Sequence, residues 1–210
     1  MKQTDSDLIV LSDLGGVLID LNWESSARKL FGKSLQRHEL LSHWLSLQSV
    51  KEFEAGQCDF GEFHRAFCQE TGSWLPLKDF EKEFLSIIGP VKPDCIAIME
   101  ELKRHYRLAM LSNTNHRHID LLRNQTSLLE CFDELFLSYR MHLIKPDPMI
   151  FRKVCEQLNT VPEKVFFFDD SLTNVTAAQN EGLHAWQVNS PGEILEIMSA
   201  DRRLAQGDRK

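Results

Sequence analysis

Leu8-Ile9-Val10-Leu11-Ser12-Asp13-Leu14-Gly15-Gly16-Val17-Leu18 is the stretch whose reading decides the fold. Its apolar residues run without alternation into a polar break, the pattern of a parallel strand buried on both faces rather than a strand with one wet side. Leu8 to Ser12 therefore reads as a first strand, with Asp13 where the loop begins. Arg107 to Ser112 and Lys164 to Phe168 repeat the pattern, and two weaker runs, Glu134 to Ser138 and His184 to Val188, complete a set of five. Helical patterns lie between them. Pro93 to Arg104 carries Ile96, Met99 and Leu102 on one face; Pro148 to Leu158 carries Phe151, Val154, Cys155 and Leu158; Ser171 to Glu181 is closed by Gly182. Asp147 before Pro148 is an N-cap and first-turn pair. Strands alternating with helices of this length predict an α/β fold: a doubly wound, five-stranded parallel sheet of Rossmann-like form.

Residues 21–89 break that rhythm and read as helices only. Phe60, Phe63 and Phe67 share one helical face, Leu77, Phe80, Phe84 and Ile88 repeat the spacing, and Asp59 with Glu62 is spaced as a capping box. The expected organisation is a core of residues 1–20 and 90–200, a helical cap of residues 21–89 placed straight after the first strand, and a tail at 201–210. Such an insertion lies over the carboxyl ends of the strands, where open α/β sheets bind their ligands.

At 210 residues, 42% hydrophobic and 26% charged, the chain is long enough for one good core and far from disordered compositions. Its formal charge is −7, and no basic cluster is denser than Arg202-Arg203 and Arg209-Lys210, which disfavours nucleic acid. Five cysteines without a C-x-x-C pair argue against a disulfide framework and a thiolate zinc site. No apolar run is long enough for a signal-peptide core or a membrane span, so a cytoplasmic protein, monomeric or homodimeric, is expected.

The loop endings carry the chemistry. Asp13 closes the first strand, Ser112-Asn113-Thr114-Asn115 closes the second, Lys145 lies in Ile144-Lys145-Pro146-Asp147, and Asp169-Asp170-Ser171, followed by Asn174, closes another. Together they offer a carboxylate, a hydroxyl with an amide, an ammonium and two adjacent carboxylates. Phosphoryl transfer needs such a set: a nucleophile, donors and a cation for the phosphoryl oxygens, and oxygen ligands for a hard divalent ion. Any one of these residues alone reads as a helix cap or a solvated charge. Four motifs at strand ends and in this order do not.

On those motifs the sequence resembles the haloacid dehalogenase-like superfamily of aspartate-nucleophile hydrolases, from about Leu8 to Val188. Asp-Leu-Gly-Gly-Val, Ser-Asn-Thr-Asn and the Asp169-Asp170 pair look most like the branch holding bacterial α-D-glucose-1-phosphate phosphatase and the amino-terminal phosphatase domain of soluble epoxide hydrolases. The resemblance implies that Asp13 attacks phosphorus to form an aspartyl-phosphate. It implies that Ser112, Asn113 and Lys145, with Gly15 and Asn115, hold the substrate, and that Asp13, Asp169, Asp170 and the Gly15 carbonyl hold Mg²⁺. It also implies a cap of the first type at residues 21–89 and a small phosphorylated metabolite, sugar phosphates favoured, as substrate.

One position departs from the family. Most of its phosphatases carry a second Asp two residues after the nucleophile, as acid and then base; here that residue is Gly15. The branch named above resembles this chain in having Gly there, and an easily expelled leaving group needs less protonation. Asp20, on a hairpin after the first strand, is a candidate replacement. Two alternatives compete with a phosphatase: a haloacid dehalogenase, which uses the Asp nucleophile and no metal, and a regulatory protein that keeps the fold with little turnover. His116 and His118 read as helix surface or substrate rim, and His38, His43 and His64 as ordinary cap positions. Trp23, Trp44 and Trp74 either line the cleft or pack the cap helices.

Overall fold

The computed structural model of the protein describes residues 7–31 and 37–207, with the side chains of 37–41 and 201–207 outside that description. His38, Arg202-Arg203 and Arg209-Lys210 fall outside with them. In chain order the elements are β1 (Ile9–Ser12), β2 (Ile19–Leu21), α1 (Trp23–Phe31), α2 (Arg37–Ser46), α3 (Gln48–Glu54), α4 (Phe60–Thr71), α5 (Leu77–Leu85), β3 (Ile88–Val91), α6 (Cys95–Lys103), β4 (Arg107–Ser112), α7 (His116–Gln125), β5 (Glu134–Leu137), α8 (Ser138–Met141), α9 (Pro148–Leu158), β6 (Val165–Asp169), α10 (Leu172–Asn180), β7 (His184–Gln187) and α11 (Pro191–Gly207). Short 3₁₀ turns precede β5 and β6.

Five strands form one sheet in the order β5-β4-β1-β6-β7. All its pairings are parallel, and Val10 lies level with Leu108 on one side and Phe166 on the other. Alternate side chains point to opposite faces of a strand, so β1 feeds two cores. Val10, Met110, Phe166 and Phe168 meet α6, α7 and α11 through Met99, Leu102, Ile119, Leu122 and Met198. Ile9, Leu11, Leu111 and Phe167 meet α9 and α10 through Phe151, Val154, Leu158 and Val175. Helices on both faces make the sheet doubly wound, as the sequence predicts.

The helical insertion has its own core of Trp44, Phe53, Phe60, Phe63, Phe67, Phe80 and Phe84. Phe53 and Phe63 stack with centroids 4.5 Å apart, and aromatic pairs contribute about 0.5–1.5 kcal/mol beyond their buried area. Helix α4 starts with the predicted capping box: Glu62 N–H donates to Asp59 Oδ1 at 2.8 Å, and Asp59 N–H donates to Glu62 Oε2 at 2.9 Å. Trp44 packs in the insertion core with Trp23 edge-on at 4.8 Å, whereas Trp74 is 80% exposed.

Three expectations shift. Ile88 does not continue α5; it opens β3, which pairs antiparallel with β2. Gly89 lies so close to Asp20 that an added Cβ would stand 2.7 Å from the Asp20 carbonyl oxygen, and Pro90 has no N–H for a helix. The insertion thus begins and ends on a two-stranded ribbon rather than being helical throughout. At the carboxyl end, α11 runs to Gly207, through much of the expected tail. His118 is buried at 7% exposure rather than on a helix surface, because its ring joins α7 to the insertion. All five cysteines are free thiols, and no helix among the described residues is long and apolar enough to cross a membrane.

Candidate active site

Three central strands end at one point. Asp13 follows β1 and is fixed by its own N–H, which donates to Phe168 O at 2.8 Å; Ser112 ends β4; Asp169 ends β6, with Asp170 next in the chain. Carboxylate oxygens of Asp13, Asp169 and Asp170 lie within 4.8 Å of one another. Lys145 enters from the loop between α8 and α9, and only 4% of it is exposed. Its ammonium donates to Asp13 Oδ1 at 2.8 Å, Asp169 Oδ2 at 2.6 Å and Leu111 O at 2.9 Å. Three donors meet three acceptors, which fixes the side chain.

The loop carrying Lys145 is templated by Asn113. The Asn113 amide donates to Lys145 O at 2.9 Å and its Oδ1 accepts Lys145 N–H at 2.8 Å. Its side chain is therefore spent on positioning the cation. Asn115 is spent in a similar way, capping α7: Oδ1 accepts His118 N–H and Nδ2 donates to His118 Nδ1, both at 3.1 Å. Of the expected substrate-holding groups, the Ser112 hydroxyl has only a long 3.4 Å contact to Asn113 O. Asp169 is fully buried and accepts from Ser171 N–H at 2.8 Å and from the Asn174 amide at 3.0 and 3.1 Å.

Asp170 is held against the loop after β1. Gly16 has φ +78°, and a Cβ there would stand 2.2 Å from Asp170 Oδ2, so this position admits only glycine. Lys92, just past β3, donates to the Gly16 and Asn189 carbonyls and pairs with Asp20 at 3.8 Å. Asp20 is 55% exposed, and Lys92 is the cation it faces.

Electrostatically the pocket holds three carboxylates against the buried Lys145 ammonium, with Lys92, just past β3, acting on Asp170. Burial raises the Asp13 carboxyl well above the usual range; the charges of Asp169 and Asp170 raise it further, and only Lys145 opposes them. Burial and Asp169 likewise raise Asp170. Burial pulls the Lys145 ammonium down, but Asp13 and Asp169 outweigh it and hold the group above its ordinary value. The excess of negative charge in a desolvated, all-oxygen cluster fits a hard divalent cation held by Asp13, Asp169 and Asp170.

Among the described residues the insertion meets the core beside this pocket at the end of α3 and at α5. At the end of α3, the Ser138 hydroxyl lies 2.6 Å from Glu54 O, and the His142 ring donates from Nδ1 to Ala55 O at 2.9 Å. Gly56, at φ +67°, is so close that a Cβ would stand 2.1 Å from Tyr139 O. At α5, the His118 ring stacks on Phe84 at 4.3 Å and donates from Nε2 to Phe84 O at 3.0 Å. Arg117 pairs with Glu81 beside it. Burial pushes the His118 imidazole down to about 4, so it is neutral at physiological pH. Glu54 and Lys92 are the neighbours that carry no signal in the sequence, because neither belongs to a strand-end motif; Asn174, five residues after Asp169, is the motif neighbour that bonds its carboxylate.

A family model for haloacid dehalogenase-like hydrolases matches residues 9–182. The protein belongs to that family. Among curated proteins it is similar to a D-ribitol-5-phosphate phosphatase of Bacteroides thetaiotaomicron, 22% identical over 85% of this chain and 90% of the relative. It also matches (S)-2-haloacid dehalogenase 4A of Burkholderia cepacia, 27% identical over 48% of this chain and 44% of that one. Among solved structures it resembles a HAD-family enzyme of Bacteroides thetaiotaomicron in complex with magnesium and inorganic phosphate, at TM-score 0.72 and 27% identity, covering 86% of this chain and 93% of that one.

Proposed function

We propose that the protein is a Mg²⁺-dependent phosphatase of small phosphorylated metabolites, with sugar or polyol phosphates favoured, and that Asp13 is its nucleophile. The observation that carries this reading is the convergence of Asp169 and Asp170 on Asp13 with a single ammonium among them. A dehalogenase that uses no metal has no need of that excess charge. The relatives support the choice: the ribitol-phosphate phosphatase aligns over 85% of this chain, and the HAD-family enzyme in complex with magnesium and inorganic phosphate covers 86% of it.

Asp13, Asp169 and Asp170 with the Gly15 carbonyl would hold Mg²⁺, which would supply positive charge to offset the carboxylates and the phosphoryl oxygens. Asp13, fixed by its backbone bond to β6, presents a carboxylate oxygen for in-line attack on phosphorus and becomes the aspartyl-phosphate. The Ser112 hydroxyl offers a donor to a phosphoryl oxygen, and the Lys145 ammonium, its three donors taken by Asp13, Asp169 and Leu111 O, offsets by its charge the negative charge that builds there. Asn113 keeps Lys145 in place, and the helical insertion above excludes water. A panel of ~100 phosphorylated metabolites assayed with Mg²⁺ and with EDTA, alongside 2-chloropropionate, tests the reading. Hydrolysis of phosphate esters that chelation abolishes is the expected result. Chloride release that survives EDTA would replace it.

A further inference from the structure

Gly15 leaves the site without a carboxylate where an acid is needed. The groups in the pocket do not replace it: Lys145 has all three donors engaged, and Asp13, Asp169 and Asp170 are committed to the nucleophile and the cation cluster. Asp20 is half-exposed and pairs with Lys92 at 3.8 Å. The insertion meets the core beside the site at the end of α3. There the Ser138 hydroxyl bonds Glu54 O and also accepts Thr114 N–H at 2.9 Å. Thr114 is two residues past Ser112, so a single hydroxyl ties the backbone of Glu54 to the loop that holds phosphoryl oxygens. The Gly56 contact with Tyr139 O and the Ala55 bond to His142 fix the same three residues against the core.

We propose that Glu54 is the acid–base residue of this enzyme, acting from the insertion on the leaving oxygen and then on water. The inference rests on the phosphatase reading above and deepens it. The residue is partly buried, and its carboxyl lies close enough to the pocket to feel the charges of Lys145 and Asp13. The neighbouring residue on α3, Phe53, meets the His116 ring of α7 edge-on at 5.5 Å, a further contact between this end of the helix and the core. Burial lifts the carboxyl to about 7, so near neutral pH it gives and takes a proton with similar ease. In the first step Asp13 bonds to phosphorus, the bond from phosphorus to the leaving oxygen breaks, and Glu54 transfers its proton to that oxygen, releasing the alcohol. In the second step the Glu54 carboxylate takes a proton from water as the water oxygen bonds to phosphorus. The Asp13–phosphorus bond breaks, inorganic phosphate leaves, and both side chains return to their starting states.

The test uses the Mg²⁺-loaded full chain, wild type and Glu54→Gln, in rapid-mixing assays with p-nitrophenyl phosphate and with an alkyl polyol phosphate. p-Nitrophenolate leaves without protonation. The variant is therefore expected to release one equivalent of it per enzyme at a rate near wild type and then turn over slowly, because glutamine cannot activate water. With the alkyl phosphate the first turnover itself is expected to slow by roughly 10²- to 10⁴-fold. Equal slowing of first turnover on both esters, or no slowing on either, would overturn the assignment, as would the same pattern produced by Asp20→Asn with Glu54→Gln unaffected. If Glu54→Gln does not fold, the wild type decides: kcat/KM that varies little with leaving-group pKa supports a proton donor, and a steep dependence overturns it. A wild type inert on both esters would instead overturn the phosphatase reading, and that is measured before any variant is made.

Discussion

A Cβ added at Gly15 would meet only the Leu21 side chain, at 3.1 Å, whereas one added at Gly16 would stand 2.2 Å from Asp170 Oδ2 on a backbone with φ +78°. A left-handed conformation costs an alanine about 1–2 kcal/mol before any clash is counted. Gly15→Ala is expected to keep the stability of the wild type to within about 1 kcal/mol, because a leucine methyl can yield. Gly16→Ala is expected to lose more than that and to displace Asp170; thermal melts of both variants, with and without Mg²⁺, check the contrast. Asp13→Asn keeps the shape of the side chain and removes the nucleophile. Turnover is expected to fall by several orders of magnitude in a protein that still melts cooperatively, and steady-state kinetics beside a thermal melt read both outcomes. At this scale the sequence discloses residue types and not their partners. Asp13, Lys145, Asp169 and Asp170 were legible because each ends a strand or begins a loop. Asn113 and Asn115 drew attention for the same reason, yet their amides serve Lys145 and His118. Which backbone an amide will find depends on a contact 32 residues away in the one case, and no local pattern encodes that.

Helices α5 and α7 meet through His118, and that contact carries a pH dependence. The imidazole is neutral in the folded protein, with its value held down to about 4 against 6.5 in the unfolded chain. Above pH 6.5 neither state is protonated and the contact has its full effect. As pH falls from 6.5 to about 4 the unfolded state binds a proton that the folded state does not, and stability declines, by up to about 3 kcal/mol. The stability difference between wild type and His118→Asn, read by urea denaturation, is expected to narrow over that window and stay constant above it. A difference that does not change with pH would show that the ring titrates normally. Elements were legible where their own residues decide them: the capping box of α4, the Asp147 cap that accepts Met149 N–H at 2.9 Å, and the apolar strands. The end of α5 was not, since Ile88 fits the helical spacing and was captured instead by pairing with Leu21, 67 residues earlier.

For the whole molecule, the order β5-β4-β1-β6-β7 gathers the ends of β1, β4 and β6 at the centre of one edge and leaves three carboxylates facing one buried ammonium. A divalent cation relieves that imbalance only in the folded chain, so it stabilises the fold. Mg²⁺ at about 100 times its dissociation constant is expected to add about 2.7 kcal/mol, or roughly 5–10 °C in Tm, and Asp170→Asn is expected to lose most of the increment. Differential scanning calorimetry across a Mg²⁺ titration reads both. The ribbon of β2 and β3 has a consequence of another kind. Leu21 pairs with Ile88, and Asn22 N–H donates to Ile87 O at 2.8 Å, so the two points where the chain leaves and rejoins the sheet domain are side by side. The helices between them share their own aromatic core. A unit attached through adjacent ends is exchangeable: evolution can lengthen, shorten or replace it, and so change which molecules are admitted, while the strand ends that break the bond stay as they are.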